Sequence, residues 1–453
     1  MNDKALEKLL RFTKQFIKLR TLGHLWNALI KLHYADVATL IEHLSNAEKK
    51  IVFQLFFDRK LETSKFSEII SEIKPEIAVE ILSDFDLNKI IPILNEMSSD
   101  DAASLISLFS DDLQLEILKK MKNEDAVDVQ EQLAYPEESA GRIMSSDFLA
   151  LSETTTASDA ISAIQLAGED VDVPFYLYVI NEEGRLMGVV SLKQLILIKP
   201  KMKLREFMNT DVYKVDVFTD QEEVAAVVAN YNLLAIPVVD ESDRLVGVVT
   251  VDDIIDVIQD EATEDIYKLA GVSQDYSVDL SIGKSISKRI PWLFLSLFTT
   301  SLSAFVISLF KGTIEQFIFL AVLMPMVTAI GGVVGNQTVA IMVREIVFGS
   351  RDWKRSKKIL LKEIVVSLGN GLIIGVIASI STYFFFNNWK LGLIFGGAII
   401  FNLLNGTFFG TIIPLFLKKL RLDPALASGL VVSMLTDSLG FLFFLGVSTL
   451  IFL

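Results

Sequence analysis

The sequence predicts a multidomain membrane protein made of an all-α helical superhelix, an α/β tandem pair and a five-span α-helical membrane domain. Three observations predict it: a break in charge and hydropathy near residue 290, a series of short amphipathic helices before residue 134, and one strand–turn–strand–helix plan that occurs twice between them. Of the 453 residues, 51% are hydrophobic, which is high for a wholly soluble chain. Residues 1–289 carry 30 Lys+Arg against 51 Asp+Glu, and residues 290–453 carry 12 against 6. An acidic soluble half of net −21 therefore precedes a slightly basic apolar half of net +6.

The superhelix comes first. Segments such as "KPEIAVEILSDF", "DLNKIIPILNEM", "SSDDAASLISLFSDD" and "NEDAVDVQEQL" within residues 36–134 each start on Ser, Asp, Asn or Lys-Pro. Each then carries apolar residues at i, i+3 and i+4, so its stripe must be buried against a neighbouring helix. Residues 1–35 are also helix-like, but "LGHLWNALIKLHY" is too short to cross a bilayer.

The period then changes. "FYLYVINEEGRLMGVVSLKQLI" (175–196) and "AIPVVDESDRLVGVVTVDDII" (235–255) each read as an apolar strand, an acidic turn, a second apolar strand ending in Ser or Thr, and a helix. Two copies of one plan indicate a pseudo-symmetric α/β pair.

The membrane domain is read as five spans: Pro291–Phe310, Phe317–Val343, Ile364–Phe386, Leu391–Leu417 and Ala425–Phe452. Each is near the ~20 apolar residues that a spanning helix needs. Lys284, Lys288 and Arg289 precede the first span, seven cations from Arg344 to Lys362 surround the second connector, and Lys418, Lys419 and Arg421 fill the fourth. The other two connectors hold Lys311 and Lys390. This asymmetry puts the soluble half on the cytosolic side of the cytoplasmic membrane and the C-terminus outside.

Composition also excludes some functions. An acidic soluble half is unsuited to nucleic acid, whose phosphates need clustered Lys and Arg, and suits cations instead. The chain has no cysteine, so thiolate metal sites and disulfides are excluded. The N-terminus, "MNDKALEKLLRFTKQF", has no apolar core followed by small residues, so no cleaved signal peptide is expected.

Asp437 is the only Asp, Glu, Lys, Arg or His within any of the five spans. It lies about 18 Å into the fifth at ~1.5 Å per residue, too deep to reach the interface. A charge at that depth costs roughly 2.5–3.5 kcal/mol on insertion scales. Two readings are open, a protonated packing residue or a carboxylate facing a wet passage and attracting a cation. The second span, "PMVTAIGGVVGNQTVAIMVRE", adds Gly331, Gly332, Gly335, Asn336 and Gln337 after Pro325. Its glycines and proline either expose backbone oxygen to a passage or let helices pack closely. Asn336 and Gln337 supply neutral oxygen, which suits a hard cation such as Mg2+.

Before the membrane half, Asp252, Asp256, Asp260 and Glu264 recur at i, i+4, and Asp253, Glu261 and Asp265 thicken the same sector. Like charges at that spacing destabilise a helix by a few tenths of a kcal/mol per pair, and a bound divalent ion would offset this. A solvated acidic face is the alternative. His24, His33 and His43 have no ligand-like spacing.

These residues resemble the MgtE magnesium channels. The most specific matches are "YPEESAGRIM" (135–144), "YLYVINEEGRLMGVVSL", "TDQEEVA" (219–225), "LVGVVTVDDIIDV", "EATEDIYKLAGV" (261–272), the Gly-rich second span, "DPALASGL" and "LTDSLG". The resemblance implies a helical N domain (1–134), two CBS domains (135–200 and 201–258), a connecting plug helix (259–289) and a pore domain (290–453). It implies a homodimer with the pore on the two-fold axis, held shut by Mg2+ at acidic cytosolic interfaces. Asp437 then resembles the central pore carboxylate and Asp423 the acid at the cytosolic mouth. Asp100, Asp220, Asp253, Asp256, Glu261, Glu264 and Asp265 are similar to the family's sensor acids.

The sequence departs from that pattern at Val333, Gly429 and Leu430 in the pore and at Ser104 and Asn232 among the sensors. The lost oxygens bear on selectivity, and the lost charges predict gating that needs more Mg2+ or is partly uncoupled. CBS pairs can bind adenine nucleotides, and Thr250 with Asp253 resembles their Thr-x-x-Asp ribose contact. The first copy has Ser191 and Gln194 instead, so at most one ATP site is suggested. No enzyme is expected: an intramembrane aspartyl protease needs two carboxylates sharing a proton, and each chain offers one. An H+-coupled divalent cation transporter and a non-conducting membrane-anchored CBS sensor are the alternative functions.

Overall fold

The computed structural model describes residues 3–167, 176–272, 282–348, 353–420, 422–426 and 428–453. They form two compact units, 1–257 and 258–453. Of the connector cations, Arg351 and Arg421 lie outside the described residues, as does part of the expected plug segment at 273–281.

The first unit begins with ten helices: α1 (Asp3–Lys18), α2 (Leu22–Leu29), α3 (Tyr34–Glu42), α4 (Asn46–Asp58), α5 (Thr63–Ser71), α6 (Pro75–Leu82), α7 (Leu87–Leu94), α8 (Ser99–Ser107), α9 (Asp111–Lys120) and α10 (Asn123–Leu133). Local chemistry starts several of them. Ser45 and Glu48 form a capping box on α4, Pro75 opens α6, and Asp86 accepts a 2.8 Å hydrogen bond from the Asn88 amide at the start of α7. Their apolar stripes meet in one core, where Phe66 meets Phe53 and Phe56 edge to face at centroid distances of 5.6 and 5.4 Å. Each fully buried side chain of this kind contributes about 1.5–3 kcal/mol. Helix α1 joins the core through Leu9, Leu10, Phe16 and Ile17.

After the short helix α11 (Ala140–Ile143) the strand plan appears twice, as the repeat predicts. Strands β1 (Ala150–Ser152), β2 (Tyr176–Ile180) and β3 (Leu186–Ser191) form one sheet, with α12 (Ala157–Ala167) and α13 (Leu192–Leu197) beside it in sequence. A 3-10 turn (Leu204–Glu206) leads to the second sheet, β4 (Val215–Asp216), β5 (Ala235–Val239) and β6 (Leu245–Thr250), which brackets α14 (Gln221–Tyr231). Each sheet has one parallel and one antiparallel pairing, with a register irregularity at the same place, Val179/Ile180 and Val238/Val239.

The two hairpin turns also share their chemistry. Asn181 Oδ1 accepts from the amides of Glu183 and Arg185, and Asp240 Oδ1 from those of Ser242 and Arg244. The sheets join at these tips, where the Leu186 amide donates to Asp243 and the Leu245 amide to Gly184, both at 3.1 Å. Helix α15 (Val251–Leu269) follows β6.

The second unit contains the end of α15, then α16 (Ile282–Ser308), the short α17 (Lys311–Gln316), α18 (Phe319–Phe348), α19 (Trp353–Phe386), α20 (Trp389–Lys419) and α21 (Ser428–Phe452). Five are long and apolar enough to cross a membrane: α16, α18, α19, α20 and α21. Helix α20 is the centre, packing against α18, α19 and α21. Where a membrane protein has no hydrophobic drive between helices, small residues let backbones close up. A methyl group on Gly406 would stand 2.6 Å from the Gly331 carbonyl, and one on Gly410 the same distance from that of Gly335.

Candidate metal and pore sites

In the first unit, the first turn of α8 and the first two turns of α15 bring carboxylates together. Asp100 and Asp101 stand at the second and third positions of α8, and Asp252, Asp253 and Asp256 open α15. The Asp100 Oδ1 is fully buried and accepts no hydrogen bond. Burial, then the charges of Asp253 and Asp101, push the Asp100 carboxyl well above the usual carboxylate range, against a hydrogen bond from Ser98. Asp101 is raised by burial and by Asp252, against hydrogen bonds from Ser71 and Ser98. Burial pushes Asp253 up to about 7; Asp252 and Asp101 add to this, and the Thr250 hydroxyl opposes it. Glu72, from the end of α5, is raised by burial and by Asp256.

Asp253 has a second, local role. Thr250 donates to its Oδ2 from the hydroxyl at 2.5 Å and from the amide at 3.3 Å, capping α15. Ser191 and Gln194 make the same box on α13. Asp220 caps α14 by accepting from the Glu222 amide at 2.9 Å, and Asn232 closes that helix in the left-handed conformation at φ 51°, which Asn tolerates well. The Ser104 carbonyl, within α8, accepts from the Ser107 hydroxyl at 2.7 Å.

In the second unit, the last turns of α15 meet the loop before α21. Lys268 forms ion pairs with Glu264 and with Asp423 Oδ2, while Asp423 Oδ1 accepts from the Ala425 amide at 2.7 Å. The two acids hold the Lys268 ammonium above its usual range despite burial. Asp265, beside them, is pushed up to about 6 by burial and by Asp423, with Lys268 opposing. Glu261 lies one turn earlier on the same helix. The acids in both places are oxygen donors, the type a hard divalent ion takes, and the charge of His33 opposes the upward shift of Glu72 at the first of them. Among the described residues, no three acidic, His or Cys side chains converge closely enough to hold an ion unaided. A Mg2+ ion there would keep several of its waters, as this ion usually does.

Within the membrane helices, Asp437 is the tenth residue of the 25-residue α21 and is half-buried. It makes no hydrogen bond or ion pair with another described residue. Helix α18 runs unbroken through its glycines. A Cβ on Gly331 would collide with the Asn402 side chain, and one on Gly335 would lie 2.6 Å from Val432, whereas one on Gly332 would meet nothing within 4 Å. Gly331 and Gly335 thus serve helix packing, while Gly332, Val333, Asn336 and Gln337 share the more open face of α18. Asn336 Oδ1 lies 3.2 Å from where a Cβ on Gly429 would be, beside the start of α21.

Two residues of this region gave no signal by motif. Asn402 is fully buried and donates to the Val327 carbonyl at 2.8 Å; Asn405 donates to Asn402 Oδ1 at 3.3 Å and to the Leu435 carbonyl at 3.4 Å. They tie α18, α20 and α21 together two residues from Asp437. Two Asn inside the apolar "FNLLNGTFFG" were the available clue. Asp101 and Glu72 were also missed, because their closeness to α15 depends on tertiary packing.

The family model for the MgtE intracellular N domain matches residues 32–138, that for CBS domains 140–200 and 204–260, and that for a divalent cation transporter, MgtE, 324–447. The magnesium transporter MgtE of Bacillus subtilis is 38% identical over 321 residues, 71% of each chain, and that of Thermus thermophilus 33% over 326 residues, 72% of each. The chain belongs to the MgtE family of magnesium transporters. Two solved structures are similar to this chain over about half of its length. The soluble part of a magnesium transporter is 27% identical with a TM-score of 0.51, covering 57% of this chain and 99% of that one. The cytosolic domain of the Mg2+ channel MgtE in complex with ATP is 32% identical with a TM-score of 0.50, covering 54% and 98%. The MgtE architecture of helical N domain, CBS pair and membrane helices is the one expected from the sequence. Helix α1 precedes the N-domain match.

Proposed function

We propose that the protein conducts Mg2+ down its electrochemical gradient through the cytoplasmic membrane, and that Mg2+ bound at its acidic cytosolic faces closes the passage. The observation that carries this is Asp437: a half-exposed carboxyl in mid-helix, meeting no donor or cation among the described residues, on a helix otherwise fit for lipid. Lipid contact for that group is too costly, so it faces water or a second copy. The open face of α18, with Gly332, Asn336 and Gln337, supports the same conclusion. In this reading two copies assemble as a homodimer around the passage, with the five domains bounded at 134, 200, 258 and 289. The soluble half is cytosolic and the C-terminus lies outside. No covalent chemistry is involved.

The acids Asp100, Asp253 and Asp256 in the first unit, and Glu261, Glu264, Asp265 and Asp423 in the second, are the closing sites; Asp220 contributes as a helix cap whose carboxylate can also meet an ion. One relative's cytosolic domain binds ATP, and a single adenine nucleotide site at Thr250 and Asp253 belongs to this proposal. Mg2+ uptake into proteoliposomes tests it. Wild type should show uptake that internal Mg2+ suppresses, Asp437→Ala none, and Asp253→Asn uptake that needs more internal Mg2+ to stop. Uptake by Asp437→Ala equal to wild type overturns the passage, and a rate set by the proton gradient points to H+ coupling instead.

A further inference from the structure

Helix α1 has two faces of opposite character. Its inward face is fixed by Leu9, Leu10, Phe16 and Ile17, which pack on the superhelix core, with Thr13 between them at 1% exposure. At 3.6 residues per turn the opposite face carries Lys4, Lys8, Arg11 and Lys18, with the neutral Gln15 among them and no acid. All four cations are exposed, and none forms an ion pair with a described residue. Elsewhere in the superhelix exposed lysines do find acids, as Lys50 does with Asp84 and Lys120 with Glu116. Along one edge of the stripe Phe12 and Leu19 are 45% and 61% exposed and take no part in the core, and the Lys8 ammonium stands over the Phe12 ring at 5.9 Å.

This charge is opposite to that of its surroundings. Residues 1–20 carry 6 Lys+Arg against 2 Asp+Glu, a net of +4, whereas residues 21–289 sum to −25. Helix α1 also lies ahead of the matched N domain, which starts at residue 32. A stripe of cations edged by an exposed aromatic and an exposed aliphatic side chain is the pattern of a helix that lies at a membrane surface.

We propose that the outer face of α1 docks on the anionic phospholipid surface of the membrane that the same chain spans. Anionic headgroups complement the stripe, and they repel the rest of the acidic soluble half, so this face is the part suited to approach them. Five helices long enough to anchor the chain in the bilayer keep that surface at high effective concentration. Each Lys or Arg near it shifts the equilibrium roughly fivefold. Phe12 and Leu19 can enter the headgroup layer without leaving the core, which favours lipid over the competing occupant, an acidic face of another copy. The proposal goes beyond the Mg2+-gated reading and does not rest on it.

The chain has no cysteine, so Gln15→Cys, within the stripe, carries a single fluorophore on the full chain. The labelled protein is reconstituted in EDTA into vesicles of phosphatidylcholine alone and of phosphatidylcholine mixed equally with phosphatidylglycerol, both containing the same fraction of a lipid with a nitroxide on its headgroup. Quenching of the label should be about fivefold or more stronger in the mixed vesicles and should fall as KCl is raised, because salt screens exposed charge. Lys8→Gln with Arg11→Gln should remove most of it, and Lys8→Arg with Arg11→Lys should keep it. Equal unfolding midpoints of the three proteins show that the positions are not needed for the fold.

Equal quenching in the two kinds of vesicle overturns the proposal, as does no quenching, or quenching that Lys8→Gln with Arg11→Gln leaves unchanged. If donor- and acceptor-labelled copies instead transfer energy through the Gln15→Cys label while the headgroup nitroxide has no effect, the face binds another copy and the lipid contact is rejected. None of these readouts measures Mg2+ flux, so their failure leaves the transport reading intact.

Discussion

At the residue scale, Asp253 carries two demands on one carboxylate. It caps α15 for Thr250, and it is raised to about 7 by burial among other acids. Because the folded value lies above the ordinary carboxylate one, the folded protein holds a proton between about pH 4 and 7 that the unfolded chain has lost. Without divalent ions, stability should therefore be greatest at the acid end of this window and fall as pH rises through 7. Asp100 and Asp101 are raised beside Asp253, so the loss belongs to the group and is on the order of a few kcal/mol. Thermal unfolding in EDTA at several pH values, followed by circular dichroism, measures it. Asp253→Asn should raise the midpoint in EDTA at pH 8 and reduce the further gain from Mg2+. Because protons and the ion compete for the same oxygens, half-saturating Mg2+ should rise as pH falls from 8 to 6, by up to about tenfold per unit below the group's pKa.

At the scale of elements, α18 and α20 are held by close backbone approach and by amide side chains. Gly406→Ala would press a methyl group against the Gly331 carbonyl and the Gly335 backbone. Neither can rotate away, so the expected cost is about 1–3 kcal/mol. Gly332→Ala, on the same stretch of α18, should leave stability unchanged, since a methyl group there meets nothing within 4 Å. Comparing the two midpoints in detergent separates the packing glycines from the open one. Asn402→Leu removes the bond to the Val327 carbonyl and leaves Asn405 without an acceptor at Asn402 Oδ1. It should lower stability by about 1–2 kcal/mol and reduce flux without abolishing it, because Asn402 braces the helices and is not exposed to a passage.

At the scale of the whole molecule, a soluble half of net −21 repels itself, and divalent ions are its natural counter-charge. An ion that binds only the folded form stabilises it by RT ln(1 + [L]/Kd), about 2.7 kcal/mol at a hundred times Kd. Mg2+ should therefore raise the unfolding midpoint of the full chain well beyond K+ at equal ionic strength. If the two salts act alike, general screening accounts for the effect and the specific acid faces do not bind.

What the sequence by itself determined is whatever depends on periodicity, length and local chemistry. The helical repeats show in their i, i+3, i+4 stripes, the doubled α/β plan in its alternation and its Asn181 and Asp240 turns, and the five spans in their apolar length. The cost of Asp437 could be read the same way, because a lone carboxyl in an apolar run needs no neighbour to be conspicuous. Only the tertiary structure decided which charges meet. It placed Asp101 and Glu72 near α15, drew Lys268 between Glu264 and Asp423, and assigned Gly331 and Gly335 to packing while leaving Gly332 open. The physical reason is that periodicity fixes which face of a helix is buried but not which other face it is buried against, and electrostatic and steric contacts depend on the second.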